Sequence, residues 1–241
     1  MLRNKLVLTF SLMLLVAGAG CGLAPGQGRS VNEGASSEVL DEKPVVYIYG
    51  EEDEQSVDVS LITEREITCE YPARPDGERT WYVKADRDGR LQYFPTQSAR
   101  EENAQIEGFE NEFNYLYWEG KTNASYDFSE GFCVAGNDTA FFLEEKLAKI
   151  GLNRREANEF IVYWLPKMQD NKYNIISFQK EAYTKDFDLV TNPSGKMLRV
   201  FMADKASDKK VDLPEQDLDA IRGDFDRDGL TVVEWGGAFV K

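Results

Sequence analysis

The 241-residue chain contains no histidine. That absence removes Ser-His-Asp and Cys-His nucleophilic systems, histidine-ligated zinc and histidine general bases together, so any catalysis has to run on carboxylates, Lys, Tyr, Ser or Cys. Cysteine is scarce, with Cys21, Cys69 and Cys133 as the full set. Positive charge is scarce too: 28 Lys and Arg stand against 43 Asp and Glu, a formal charge of −15. Such a field repels phosphodiester backbones, and with no compensating basic stripe it argues against nucleic-acid binding. No apolar run reaches the roughly 20 residues that a spanning helix needs.

The leader has a clear pattern. Arg3 and Lys5 precede an apolar run from Leu6 to Ala17, and the small residues Gly18, Ala19 and Gly20 lead into Cys21. These are the n-region, h-region and cleavage site of a secretory signal. Small residues abutting Cys21 resemble a bacterial lipobox, with Gly18 at the position usually held by leucine. The expectation is a signal peptide over 1–20, lipidation (a diacylglycerol with palmitate-like chains) at Cys21 and a flexible tether through residue 42. Ala17-Gly18-Ala19 is also an ordinary A-x-A site, which would leave Cys21 a plain thiol. Two acyl chains, at about 0.8 kcal/mol per buried CH₂, hold a protein to a bilayer where one is marginal. The Gly, Ser, Ala and Asn of the tether bury too little surface to offset chain entropy. The resulting expectation is an exported protein on the cell membrane or cell surface, and loss of Arg3 and Lys5 with the leader takes the charge from −15 to −17.

Residues 43–241 are long enough for one globular domain with a sizeable core. Lys43–Tyr49 is β-branched and aromatic, Ser56–Ile62 alternates with period 2, and Ile67–Tyr71, Thr80–Ala85 and Leu91–Phe94 continue a β front half. Gln97–Asn111 is a polar excursion before an aromatic strand, Phe113–Trp118. Asn137 or Asp138 caps a helix that Gly151 stops, and Asn153 with Glu156 opens a second helix, Arg154–Leu165, terminated by Pro166. Strands follow at Tyr173–Phe178, Leu189–Thr191, Met197–Met202 and Leu230–Trp235, with a helix at Leu213–Arg222. The predicted class is α+β: an antiparallel, β-rich single domain with a central helix pair.

Three constellations carry possible chemistry. Asp224, Asp226 and Asp228, before Gly229, resemble the opening of a calcium loop, although Trp235 occupies the position where a bidentate glutamate belongs, and an acidic turn feeding a strand explains the same residues. No other cofactor is expected. Cys69 and Cys133 form the one pair left to oxidise outside the cytoplasm, as a disulfide or as two buried thiols. An aromatic and acidic set, Tyr115, Tyr117, Trp118 and Glu119, then Asn158, Glu159, Tyr163 and Trp164, then Glu234 and Trp235, suits a saccharide, whose C–H faces stack on rings while its hydroxyls meet carboxylates. Carboxylate pairs also hydrolyse glycosides without histidine; equally, aromatics on strands and amphipathic helices are ordinary core.

Lys43-Pro44-Val45-Val46-Tyr47-Ile48-Tyr49, Tyr115 to Gly120, Asn158 to Pro166 and Val233-Glu234-Trp235-Gly236-Gly237 together resemble a family of exported microbial proteins that open on a "KPVIYLYP"-like strand and close on a "VVEWGG"-like one. Gly50 stands here where that family has proline. The family has no established activity; the resemblance implies export and a single compact domain, and it transfers no catalytic residue. The leading expectation is a lipid-anchored protein that binds an envelope glycan or a protein partner. The alternatives are a glycosidase-like hydrolase and a structural envelope protein.

Overall fold

The protein is described by a computed structural model covering residues 39–104 and 111–240, with side chains from Lys43 onward. The leader, Cys21 and most of the expected tether lie outside the described residues. All described elements fall in one unit, Ser36–Lys241. The chain is mixed and strand-rich, running β1 (Val39–Tyr49), β2 (Gln55–Ile62), β3 (Ile67–Tyr71), β4 (Thr80–Ala85), β5 (Leu91–Phe94), α1 (Gln97–Glu101), β6 (Glu112–Phe113), β7 (Leu116–Thr122) and β8 (Phe132–Ala135). It continues through α2 (Thr139–Ile150), α3 (Arg154–Met168), β9 (Tyr173–Gln179), α4 (Glu181–Thr184), β10 (Asp188–Asn192), β11 (Lys196–Ser207), α5 (Leu218–Arg222) and β12 (Thr231–Phe239).

Two sheets form. The larger has the order β3-β7-β1-β12-β11-β9-β8, the smaller β10-β2-β4-β5-β6. Strand alternation sorts the larger sheet's side chains into two cores. Val45, Tyr47, Val200, Met202, Val233 and Trp235 pack with Leu143, Leu147, Phe160 and Trp164 of α2 and α3. On the other face, Val46, Ile48, Leu116, Trp118, Phe201 and Val232 pack with Val57, Val59, Trp81 and Val83 of the smaller sheet. The larger sheet is therefore the middle layer. Its central strand β12 is covered on both faces, which explains why Thr231–Ala238 is buried at every position.

Differences from the sequence expectation have physical causes. The ladder is not wholly antiparallel, because β11 and β12 run parallel; the 23 residues between them carry the chain back to the same end. The aromatic strand Phe113–Trp118 is two strands, β6 in the smaller sheet and β7 in the larger. Pro166 does not end α3, which continues to Met168. The residue whose carbonyl loses its partner is Val162, 75% exposed, and water can take over there. The expected helix Leu213–Arg222 shortens to α5.

The cysteine pair is corrected outright. Cys69 lies on β3 and Cys133 on β8, the opposite edge strands of the larger sheet. Six inter-strand steps of about 4.8 Å place them roughly 29 Å apart, whereas a disulfide needs Cα atoms within about 7 Å. Both are free thiols, and Cys133 Sγ accepts the Val211 amide at 3.2 Å.

Candidate functional site

The first strand and α3 are tied by a pair of phenol–carboxylate bonds. Tyr47 and Tyr49 are two residues apart on one face of β1, with stacked rings at 6.5 Å. Opposite them, Glu156 and Glu159 are three apart on α3 and so share a face. Tyr47 Oη donates to Glu159 Oε2 at 2.8 Å, and Tyr49 Oη donates to Glu156 Oε1 at 2.7 Å. Glu156 is fully buried. Its carboxylate also completes the capping box, accepting the Asn153 amide at 2.8 Å, and takes Arg227 Nη2 at 2.6 Å. Glu156 is thus a structural anchor.

Glu159 opens onto a cleft of about 440 Å³ lined by Lys43, Asn114, Tyr115, Asn158, Val162 and Tyr163. Its volume lies in the range of small-ligand sites. Tyr115 and Tyr163 are half-buried walls, and Tyr115 meets Tyr47 edge-on at 5.4 Å. Arg155 Nε stands 3.6 Å from Glu159 Oε1. Burial, then the Glu159 charge, pushes the phenols of Tyr47 and Tyr115 above their ordinary range; burial and Glu119 do the same to Tyr117. These tyrosines are consequently neutral hydrogen-bond donors near pH 7 and do not supply a phenolate nucleophile or base.

The structure separates the aromatic and acidic residues that stood together in sequence. On β7, Tyr117 and Glu119 face the helix layer, while Trp118 between them faces the smaller sheet. Trp118, Trp164 and Trp235 are fully buried, so none offers a ring to a ligand. Trp164 packs edge-on or tilted against Tyr163, Phe160 and Phe239, and Trp235 against Phe160. Glu234 is also fully buried, on the far side of the sheet from Glu159; it accepts Arg199 Nε at 2.5 Å and Trp118 Nε1 at 3.0 Å. An internal ion pair is its role here. Of the expected set, Tyr115, Asn158, Glu159 and Tyr163 line the cleft, and Tyr117 borders it through the Lys43 ammonium, 5.5 Å from its ring. Lys43, Asn114 and Val162 complete the wall. Asn114, between Phe113 and Tyr115, lies outside the expected set; a single polar residue in an aromatic run gives no local signal of its place on the wall.

The acidic turn is satisfied from within. Asp226 Oδ1 accepts the Asp228 amide at 3.1 Å and Oδ2 accepts Lys196 Nζ at 3.1 Å, contacts that hold its carboxyl below the usual range. Asp224 and Asp228 are exposed, and β12 follows in place of an exiting helix. Among the described residues no group of three or more Cys, Asp or Glu is arranged to hold a metal ion.

The chain is similar to a protein of Butyrivibrio fibrisolvens described as "Uncharacterized protein in bglA 3'region", 28% identical over 120 residues, which are 49% of this chain and 99% of that protein. No family model matches the chain, and no solved structure does.

Proposed function

We propose that this chain is an exported, lipid-anchored envelope protein that binds a glycan in the cleft between β1, β7 and α3, with the α2–α3 pair as the central helical element of the domain. The observation that carries the proposal is the cleft wall: the half-buried rings of Tyr115 and Tyr163 beside Glu159, Asn114 and Asn158. Rings take the apolar face of a sugar, and amides and carboxylate take its hydroxyls. All four segments that resemble the exported family supply this part of the molecule. β7, β1 and β12 are neighbours in the sheet, with α3 packed across them.

Binding is favoured over hydrolysis. A glycosidase needs two carboxyl groups about 5–10 Å apart flanking one bond; of the three candidates Glu159 lines the cleft and Glu119 and Glu234 do not, Glu234 lying across the sheet in an ion pair. Calorimetric titration against envelope polysaccharides and peptidoglycan fragments, with product release followed in the same samples, tests this. One glycan class should bind without turnover, and Tyr163→Ala should weaken it by about 1–3 kcal/mol, the worth of a stacking aromatic contact with its buried area. Silence across the panel in the wild type, together with capture by an envelope protein, would move the site to a protein partner.

The anchor has its own test. Cys21→Ser should abolish incorporation of a palmitate label and release the protein from membranes. Retained label would contradict acylation at Cys21.

A further inference from the structure

Lys43 is an unusual residue in the cleft. Its φ is 55°, a left-handed conformation that costs a non-glycine residue about 1–3 kcal/mol and persists where surrounding structure enforces it. The enforcement is visible. β1 bulges between Asp41 and Val45 against β7, and between Glu42 and Val45 against β12. The adjoining Pro44 sits so close to β12 that a Cβ on Gly236 would lie 3.1 Å from its Cα. This bulge brings Lys43 Nζ to 5.5 Å from the Tyr117 ring centroid and 5.3 Å from that of Tyr163, on the wall of the cleft.

Stacking over ring faces positions an ammonium without consuming its three N–H donors. Among the described residues no carboxylate ion-pairs with Lys43, although the chain carries a net charge of −15. A strained backbone thus holds, against two rings where a ligand would lie, a cation with no ion-pair partner among the described residues.

We infer that Lys43 sets the specificity of this cleft and that the ligand is a saccharide bearing a carboxylate, of the uronate class; this rests on the glycan reading above. A carboxylate fits better than a phosphate for two reasons. Glu159 shares the cleft and penalises a dianion, and phosphate is characteristically taken by Arg forks or clustered backbone amides, neither of which lines this wall. One ammonium with the amides of Asn114 and Asn158 matches one carboxylate and its neighbouring hydroxyls.

The test is calorimetric titration of the full-length protein with a glucose oligomer, a galacturonate oligomer of the same length, and a phosphorylated glucose oligomer, at low and high salt. The galacturonate oligomer should bind at least about tenfold more tightly than the glucose one, a preference that shrinks with salt. Lys43→Met keeps the stem against the rings and removes the charge, so it should erase most of that preference; Lys43→Arg should retain part of it, and both variants should melt as the parent does. Equal affinity for the neutral and acidic oligomers, or a preference that survives Lys43→Met, overturns the inference and leaves the glycan reading in place. Tightest binding of the phosphorylated oligomer overturns the carboxylate assignment. No binding of any of the three overturns the inference and the glycan reading together.

Discussion

Glu234→Ala is expected to lower the unfolding free energy by about 3–5 kcal/mol, the typical cost of stripping one partner from a buried ion pair. Glu234 is fully buried and the Arg199 side chain is 10% exposed. Removing the carboxylate leaves a guanidinium between two packed sheets, held by the Phe187 carbonyl at 2.8 Å from Nη1 and by the Tyr183 ring, 4.7 Å away. It also orphans the indole N–H of Trp118, a further desolvation penalty. The pair's net worth is a separate quantity. A buried ion pair replaced whole by apolar residues is often neutral or stabilising, so Arg199→Leu with Glu234→Leu should recover most of the loss. Urea denaturation of the single and double variants decides this. A single-variant loss under about 1 kcal/mol would mean that water reaches Arg199 and the middle layer is not dry.

The second large effect is pH-dependent and of opposite sign. Asp204 is fully buried on β11, between Ile176 of β9 and Phe239 of β12 in register, and neither carboxyl oxygen has a well-formed hydrogen bond. Burial pushes its carboxyl up to about 7, with the Lys205 amide offsetting part of the rise. Below pH about 4 the group is protonated in both folded and unfolded chains and favours neither. As pH rises from there the unfolded chain ionises freely while the folded one holds its proton, so stability is lost progressively and levels off above about 7. About three pH units correspond to about 4 kcal/mol. Asp204→Asn removes this proton linkage. Its stability relative to the parent should therefore climb by about that amount between pH 4 and pH 8, a difference that melts at a series of pH values measure. A difference that stays flat with pH would show Asp204 to be ionised and solvated in the folded state.

The strands were the most legible part of the chain. β3, β4 and β5 lie where β-branched and aromatic residues bounded by turns put them, and β4 is the half-buried strand with period 2 written through it. β8, four residues long and starting directly after Gly131, carried too little pattern to announce itself. Sheet order was invisible, since no local signal says which strand pairs with which; Cys69 and Cys133 could be paired on paper though a whole sheet separates them.

The site was partly legible. Glu159 stood out for its company on α3, but grouping Trp118 with Glu119 and Glu234 with Trp235 treated chain neighbours as spatial neighbours. In a strand they point to opposite faces. Applying period 2 to those two strands would have separated the tryptophans from the glutamates at once. The bond from Tyr47 to Glu159 and the cleft above it required knowing that α3 crosses β1, a tertiary fact.

The most direct test of the central claim is to map ligand contact on the protein by NMR or hydrogen exchange during titration with the best-binding envelope glycan. Protection confined to Lys43, Asn114, Tyr115 and the Asn158–Tyr163 face of α3, lost in Tyr115→Ala and Tyr163→Ala, is the predicted result. Protection centred elsewhere, or unchanged binding in both tyrosine variants, would contradict the assignment of the cleft as the glycan site.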